Sequence, residues 1–107
     1  MLKTSYSVED IARETKNFLS KYIRVDRIIL FGSYLRGDFR EDSDIDMAVI
    51  SEDLEKMSVW EKIELLAKVP IYVDSRVEII GFSKKDFLNP DKRSLLYIVK
   101  NEGKILF

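Results

Sequence analysis

The stretch that organises this chain is residues 32–46, which read GSYLRGDFREDSDID. It begins with Gly32-Ser33, directly after an apolar run, and it ends with Asp44 and Asp46, where a second apolar run begins. Glycine permits a sharp turn and a close approach of the backbone to a ligand, and the amides of a following helix point at an anion. Carboxylates at alternate positions of a strand share one face and can bind a divalent cation together. The stretch therefore predicts a site for a metal-bound nucleoside triphosphate.

Each half of this stretch also has an ordinary structural explanation. Ser33 is a good N-cap for a strand-to-helix turn, and Asp44 and Asp46 alone can cap a strand and face solvent. Asp46 weighs against the ordinary explanation, because the apolar residues Met47 to Ile50 follow it directly inside a strand, where Asp is disfavoured. The chain contains neither a P-loop motif nor a Gly-x-Gly-x-x-Gly dinucleotide motif, which excludes those two classes of nucleotide-binding protein.

Composition restricts the chemistry further. The 107 residues suffice for one domain, which we place at 1–107, and 46% hydrophobic with 35% charged residues is typical of a compact fold. The net charge of −1 argues against a general nucleic-acid binder. The chain has no His and no Cys, so a metal site must use oxygen ligands, which favours Mg²⁺, Mn²⁺ or Ca²⁺. No apolar run approaches the roughly 20 residues of a membrane span, and we expect a cytoplasmic protein.

The acids and arginines near the motif are further candidates. Residues 41–50 hold four acids and no base, namely Glu41, Asp42, Asp44 and Asp46, which repel one another unless a cation is bound. Glu78 interrupts an apolar strand and is either a third carboxylate beside the aspartates or a solvent-facing residue of an edge strand. Asp74 is the rival third acid, in a turn before that strand. Arg36 and Arg40 are either phosphate contacts or surface arginines paired with Asp38 or Asp42.

The pattern of caps, breakers and apolar spacing predicts α/β (α+β) architecture, with a small mixed sheet of three to four strands flanked by helices. We expect Pro70 to stop the third helix and Asn89-Pro90 to begin the last one. Residues 51–57 fit either a helical turn or a loop. Phe18, Tyr22 and Trp60 are expected in the core, together with Leu95, Leu96, Ile98 and Val99. The predicted elements are helix 8–22, strand 25–31, short helix 33–37, strand 44–50, helix 58–69, strand 76–82, a helical turn at 83–86, helix 90–101, capped by Gly103, and edge strand 105–107.

The motif resembles a known signature. Gly32-Ser33, ten intervening residues and Asp44-x-Asp46 are similar to the motif of the polymerase-beta-like nucleotidyltransferases. The fuller pattern, with Arg36-Gly37, resembles the minimal nucleotidyltransferases most. These are small proteins that are often encoded beside an all-helical HEPN protein in toxin–antitoxin pairs. The motif covers fifteen residues, and the order of elements extends the similarity over nearly the whole chain.

The resemblance implies a polymerase-beta-like nucleotidyltransferase core and assigns roles. Gly32 and Ser33, with Arg36 as a further candidate, would bind the triphosphate of ATP. Asp44 and Asp46 would bind two Mg²⁺ ions, with Mn²⁺ as an alternative. The third catalytic and metal-binding carboxylate falls best on Glu78, although the family often has Asp there.

The resemblance also implies an acceptor. We expect no acceptor-binding domain within these 107 residues. The resemblance then implies that the acceptor belongs to a partner protein and that, for antitoxin-like members, it is a Tyr of the HEPN partner. The competing hypothesis is an antitoxin that neutralises its partner by direct binding without catalysis. The sequence leaves a homo-oligomer open.

Overall fold

The computed structural model describes residues 7–40 and 42–107, so Glu41 of the acidic stretch lies outside the described residues. The described chain alternates helices and strands, as the sequence predicts. The elements are α1 (Val8–Leu19), β1 (Arg27–Phe31), α2 (Ser33–Arg36), β2 (Ile45–Ile50), a 3-10 helix (Glu52–Lys56), α3 (Val59–Leu66), α4 (Lys68–Tyr72), β3 (Val77–Phe82), α5 (Lys84–Leu88), α6 (Leu95–Glu102) and β4 (Lys104–Ile105).

The four strands form one mixed sheet in the order β3-β2-β1-β4. β1 pairs antiparallel with both β2 and β4, whereas β2 and β3 run parallel. The predicted small mixed sheet is confirmed. The C-terminal edge strand, predicted over 105–107, is found one residue earlier as β4 (Lys104–Ile105), with Ile105 opposite Ile29. β3 forms the opposite edge of the sheet.

The sheet has a hydrophobic layer on each face, because alternate side chains of a strand point to opposite faces. On one face, Ile45, Met47 and Val49 of β2 pack in a cluster with residues of α1, α3 and α4. On the other face, Ala48 and Ile50 pack with residues of α5 and α6. Asp46 shares the second face by this alternation, so it lies just beyond the apolar layer under α6.

Serine caps set the start of several helices. Ser7 and Ser58 form the predicted capping boxes with Asp10 and Glu61. Ser51 caps the 3-10 helix, which resolves the open segment 51–57 as a helical turn. The helix predicted over 8–22 ends earlier, at Leu19.

Two further predicted helix boundaries are wrong. α6 begins at Leu95 rather than at 90, because Asp91 accepts a hydrogen bond from the Arg93 N–H (2.8 Å) in a turn and Ser94 is the N-cap. Pro70 does not end the helical path but lies within α4. A proline is tolerated in the first turn of a helix, where its missing N–H would have no intrahelical partner.

Some residues that were predicted in the core are exposed instead. Leu96 and Val99 are buried, and Phe18 is half-buried against the core, as predicted. Trp60 is 79% exposed and Tyr22 54% exposed, and Leu95 and Ile98 also face outward. Helical spacing identifies an apolar stripe without saying whether a neighbouring element covers its whole width. In residues 7–40 and 42–107, no helix has the length and apolarity required to span a membrane.

Candidate functional site

The turn between β1 and α2 requires glycine at position 32. Gly32 has φ 78° and ψ −153°, a region of backbone conformation that is essentially reserved for glycine. A Cβ atom there would overlap Asp46 Oδ2 and lie 3.0 Å from Asp46 Cγ. The main chain at Gly32 therefore lies directly against the Asp46 carboxyl group, and the two halves of the sequence motif meet in space.

α2 is a single turn that begins at this glycine. The Gly32 carbonyl accepts hydrogen bonds from the N–H groups of Leu35 and Arg36, each at 3.1 Å. Gly37 ends the helix in the left-handed conformation, with φ 84°. The N-cap is Gly32 and not Ser33, and no side chain caps the helix. The Ser33 hydroxyl is therefore not used as a cap.

Three carboxylates meet at one end of the β2–β3 pair. Asp46 lies opposite Glu78 in the parallel register, and Asp44 immediately precedes β2. Burial raises the pKa of Asp46, the charge of Asp44 raises it further, and Arg36 opposes the shift. A hydrogen bond with the Asp44 side chain raises the pKa of Glu78 most, and the charge of Asp46 adds to this effect. The three predicted acids are thus brought together on one face of the sheet.

The donor set fits a hard divalent cation, since all three side chains offer carboxylate oxygens. As the side chains stand, no group of three or more acids in the described parts of the chain is arranged to hold a metal ion. Glu78 and Asp44 instead share a hydrogen bond, which occupies oxygens that a metal ion would use. A cation would displace that proton, since metal-binding carboxylates must be deprotonated.

Arg36 lies at the edge of this cluster. Its Nε atom is 3.3 Å from Asp38 Oδ2, and both side chains are largely exposed. Its charge also lowers the pKa of Asp46 against the effect of burial. An exposed ion pair of this kind contributes little to stability, so the guanidinium can exchange its partner for another anion. Arg40 donates its backbone N–H to Ser43 Oγ at 2.7 Å, which shapes the loop before β2.

Asp74 has a structural partner. It is 7% exposed, and its carboxylate accepts hydrogen bonds from Nε (3.1 Å) and Nη2 (3.0 Å) of Arg76. This two-point contact is the main cause that raises the pKa of Arg76, and Tyr34 contributes as well. The contact between Asp74 and Arg76 thus fixes the turn that leads into β3.

Sequence reasoning missed Tyr34. Its ring stacks on Phe39 with centroids 4.1 Å apart, and it also interacts with Arg76. Tyr34 thereby connects α2 with the following loop and with the start of β3. The Asp-x-Arg spacing is a visible signal for the turn at 74–76, but nothing in the sequence indicates that Tyr34 packs there.

The chain matches known proteins over most of its length. The sequence family described as "Polymerase beta, Nucleotidyltransferase" matches residues 13–107. "Putative protein adenylyltransferase MJ1379" of Methanocaldococcus jannaschii is 35% identical over 89 residues, which cover 83% of this chain and 87% of that protein. "Protein adenylyltransferase MntA" of Thermococcus cleftensis is 34% identical over 77 residues, which cover 72% of this chain and 76% of that protein.

A solved structure agrees with these matches. A toxin–antitoxin protein crystallised with AMP-PNP superposes with a TM-score of 0.64 at 26% identity, covering 94% of this chain and 73% of that one. The sequence matches are sufficient on their own to show common descent. The similar fold agrees with them. The chain belongs to the polymerase beta nucleotidyltransferase family and is of the minimal nucleotidyltransferase type.

Proposed function

We propose that this chain is a Mg²⁺-dependent nucleotidyltransferase that transfers AMP from ATP to a hydroxyl group of a partner protein. The observation that carries the proposal is the convergence of Asp44, Asp46 and Glu78 beside the Gly32 turn. Such a cluster is costly without a cation, since like charges repel strongly where water is partly excluded. A role in binding metal ions for nucleotidyl transfer therefore explains why these three acids lie together, since the fold itself does not require them.

The residues of the cluster take separate roles in this proposal. Asp44 and Asp46 would hold two Mg²⁺ ions, with Mn²⁺ as a substitute, and Glu78 would be the third ligand on the acceptor side. Bound Mg²⁺ supplies activation of the attacking oxygen and neutralisation of charge on the phosphates. The Gly32 backbone allows the triphosphate to approach, the Ser33 hydroxyl donates a hydrogen bond to a phosphate oxygen, and Arg36 neutralises phosphate charge.

The transfer is balanced without any further reactant. The acceptor oxygen forms a bond to the α-phosphorus of ATP, and the bond from that phosphorus to the bridging oxygen of the β-phosphate breaks. Pyrophosphate leaves, and the proton of the hydroxyl group passes to Glu78. The absence of His from the chain is therefore no obstacle to catalysis.

We assign the third carboxylate to Glu78 rather than to Asp74 on the contacts of each. Glu78 lies opposite Asp46 in the sheet and interacts with Asp44. Asp74 is engaged by Arg76 through two hydrogen bonds at 3.0–3.1 Å. Releasing Asp74 for a metal would leave the Arg76 guanidinium without that partner.

The relatives support the finer parts of the proposal. Two of them are named as protein adenylyltransferases, and structural neighbours are toxin–antitoxin complexes, one with AMP-PNP and others of MntA with HepT. We infer ATP as the nucleotide, a HEPN-type toxin as the partner with Tyr as its acceptor, and an antitoxin role in the cytoplasm.

The test is to produce the chain together with the helical protein encoded beside it and to measure the mass of that protein by mass spectrometry. The partner should gain the mass of one AMP with the wild type and none with Asp44→Asn or Asp46→Asn. Asp42→Asn is the matched control, because Asp42 is an exposed acid of the same stretch outside the cluster. An AMP adduct formed equally by all four proteins would refute the proposal.

A second candidate function is neutralisation by binding alone. The specific observation that favours it is the exposure of large apolar residues, including Trp60 at 79% and Val59 at 64%, which suits a surface for a partner. In that case Asp44→Asn would neutralise the toxin as well as the wild type does. A partner that stays active in a complex with Asp44→Asn would exclude it.

A further inference from the structure

The open edge of the sheet runs directly past the acidic cluster. Within residues 7–40 and 42–107, β3 is the last strand on its side of the sheet and pairs only with β2. The carbonyl of Arg76, just before β3, accepts a hydrogen bond from the Ile45 N–H of β2 (2.8 Å). The carbonyl of Phe82, at the end of β3, accepts one from the Ser51 N–H (3.1 Å). Backbone groups of successive residues alternate in direction along a parallel strand. The N–H and C=O groups of Ile79 and Gly81 therefore point away from the sheet.

A cavity lies along this open edge. It has a volume of about 400 Å³ and is lined by β3 from Glu78 to Gly81 and by the facing sides of α3 and α4. Most of its walls are apolar and come from Ile63, Leu66 and Pro70. Gly81 has no side chain to fill the space, and a Cβ there would approach Leu66 Cδ1 to 3.0 Å.

The edge and the cavity together define what fits there. A polypeptide added beside β3 would lie about 4.8 Å from it and would bond to the free groups of Ile79 and Gly81. The residue opposite Glu78 would project on the face that carries Asp46, with its Cβ atom about 5 Å from that of Glu78. The residues before and after it would project to the other face, into the cavity.

We propose that the acceptor protein docks on β3 as an added strand, with its reactive hydroxyl residue opposite Glu78 and apolar residues on both sides of it. This inference rests on the proposed function, because it uses Glu78 as the carboxylate on the acceptor side. The cavity reaches the edge strand at Glu78, whose side chain belongs to the cluster of Asp44, Asp46 and Glu78 on the other face, and this shared residue selects the acceptor as the occupant. A second copy of the chain is the alternative occupant.

The test uses short synthetic peptides with a central Tyr between two Val residues as acceptors. In one series, each backbone amide is N-methylated in turn, and in another the Val residues are replaced by Lys. Transfer of AMP is followed by mass, and kcat/KM is compared. The loss should alternate along the peptide, at roughly twofold to tenfold for each amide that bonds to β3 and none for the amides between. Lys in place of Val should lower kcat/KM by more than about tenfold.

Variants of the chain provide the second arm. Ile63→Lys should raise the KM for the peptide about tenfold, since it places a charge in the apolar cavity. Ile71→Lys is the matched control, because Ile71 is 74% exposed and does not line the cavity. Binding of Mg²⁺-ATP, measured by calorimetry, should be the same in both variants and in the wild type.

Each contrary result has a separate meaning. Three results would overturn the docking inference alone. The first is a loss that does not alternate along the N-methylated peptides, and the second is an equal KM for the two variants. The third is the absence of transfer to any peptide by a chain that binds Mg²⁺-ATP. A dimer in sedimentation that Ile63→Lys converts to a monomer assigns the edge to a second copy and also overturns it. A wild type that fails to bind Mg²⁺-ATP overturns the proposed function itself.

Discussion

We expect Gly32→Ala to force the Asp46 side chain away from the Gly32 turn. Gly37→Ala is the matched control. Both glycines have positive φ, of 78° and 84°, so both substitutions carry backbone strain. Alanine in the left-handed conformation of Gly37 costs about 1–2 kcal/mol, and no atom lies within 4 Å of a Cβ atom there. Gly32 lies in a less accessible region, where strain is about 1–3 kcal/mol, and its Cβ atom would also overlap the Asp46 carboxyl group.

The difference between the two variants follows from these contacts. The Gly32 carbonyl is fixed by two hydrogen bonds from α2 at 3.1 Å, so the Asp46 side chain must rotate away. We expect Gly32→Ala to lower the free energy of unfolding by about 3 kcal/mol and Gly37→Ala by about 1 kcal/mol. At about 4 °C per kcal/mol for a chain of this size, the Tm values should fall by about 12 °C and 4 °C. Unfolding in urea measures the free energies without metal.

Metal binding provides the decisive readout for this pair. Mn²⁺ binding should be lost in Gly32→Ala and retained in Gly37→Ala, because only the first displaces a ligand. The affinity for Mn²⁺ is measured by calorimetry at a temperature where both variants are folded. Equal losses of stability in the two variants, with unchanged Mn²⁺ affinity in Gly32→Ala, would refute this account of the turn.

Three further predictions concern the charges of the site. The pKa of Asp46 is raised in the folded, metal-free protein, so stability falls as pH rises through that pKa. Asp46→Asn should therefore raise the free energy of unfolding in urea at pH 7 by up to about 1 kcal/mol and give no gain near pH 3, and a loss at pH 7 would contradict this sign. Arg36→Ala should raise the Kd for Mg²⁺-ATP about tenfold by calorimetry while leaving the Tm unchanged, since its ion pair with Asp38 is exposed; an unchanged Kd would remove it from the phosphate site. Asp74→Asn should lower the free energy of unfolding by about 1–3 kcal/mol, because it weakens the buried contact with Arg76, yet leave Mn²⁺ affinity intact, whereas lost affinity would make Asp74 a ligand.

Local sequence signals predicted the elements and one half of the site well. The caps at Ser7 and Ser58 depend on residues three positions apart, and the Gly32 turn depends on the strand that precedes it. The predicted start of α6 was wrong because Asn89-Pro90 and Ser94 are both common signals for the start of a helix. The turn at Asp91 decides between them. Such competition between local hydrogen bonds is resolved only in the folded chain.

The position of Glu78 could not be predicted from spacing. It depends on the parallel register that sets Asp46 opposite Glu78, a contact between residues far apart in the sequence. A shift of one residue would move Glu78 to the other face of the sheet. The exposure of Trp60 was missed for a related reason, since the pattern of α3 does not say how much of its apolar stripe the sheet covers.

The measurement that tests the central claim most directly compares two labelled forms of ATP. The chain is incubated with its helical partner, Mg²⁺ and ATP labelled on either the α- or the γ-phosphate, and label on the partner is counted. A nucleotidyltransferase leaves label on the partner from α-labelled ATP only, and Asp46→Asn should abolish it. Label from γ-labelled ATP, or label that persists in Asp46→Asn, would contradict transfer of AMP by this carboxylate site.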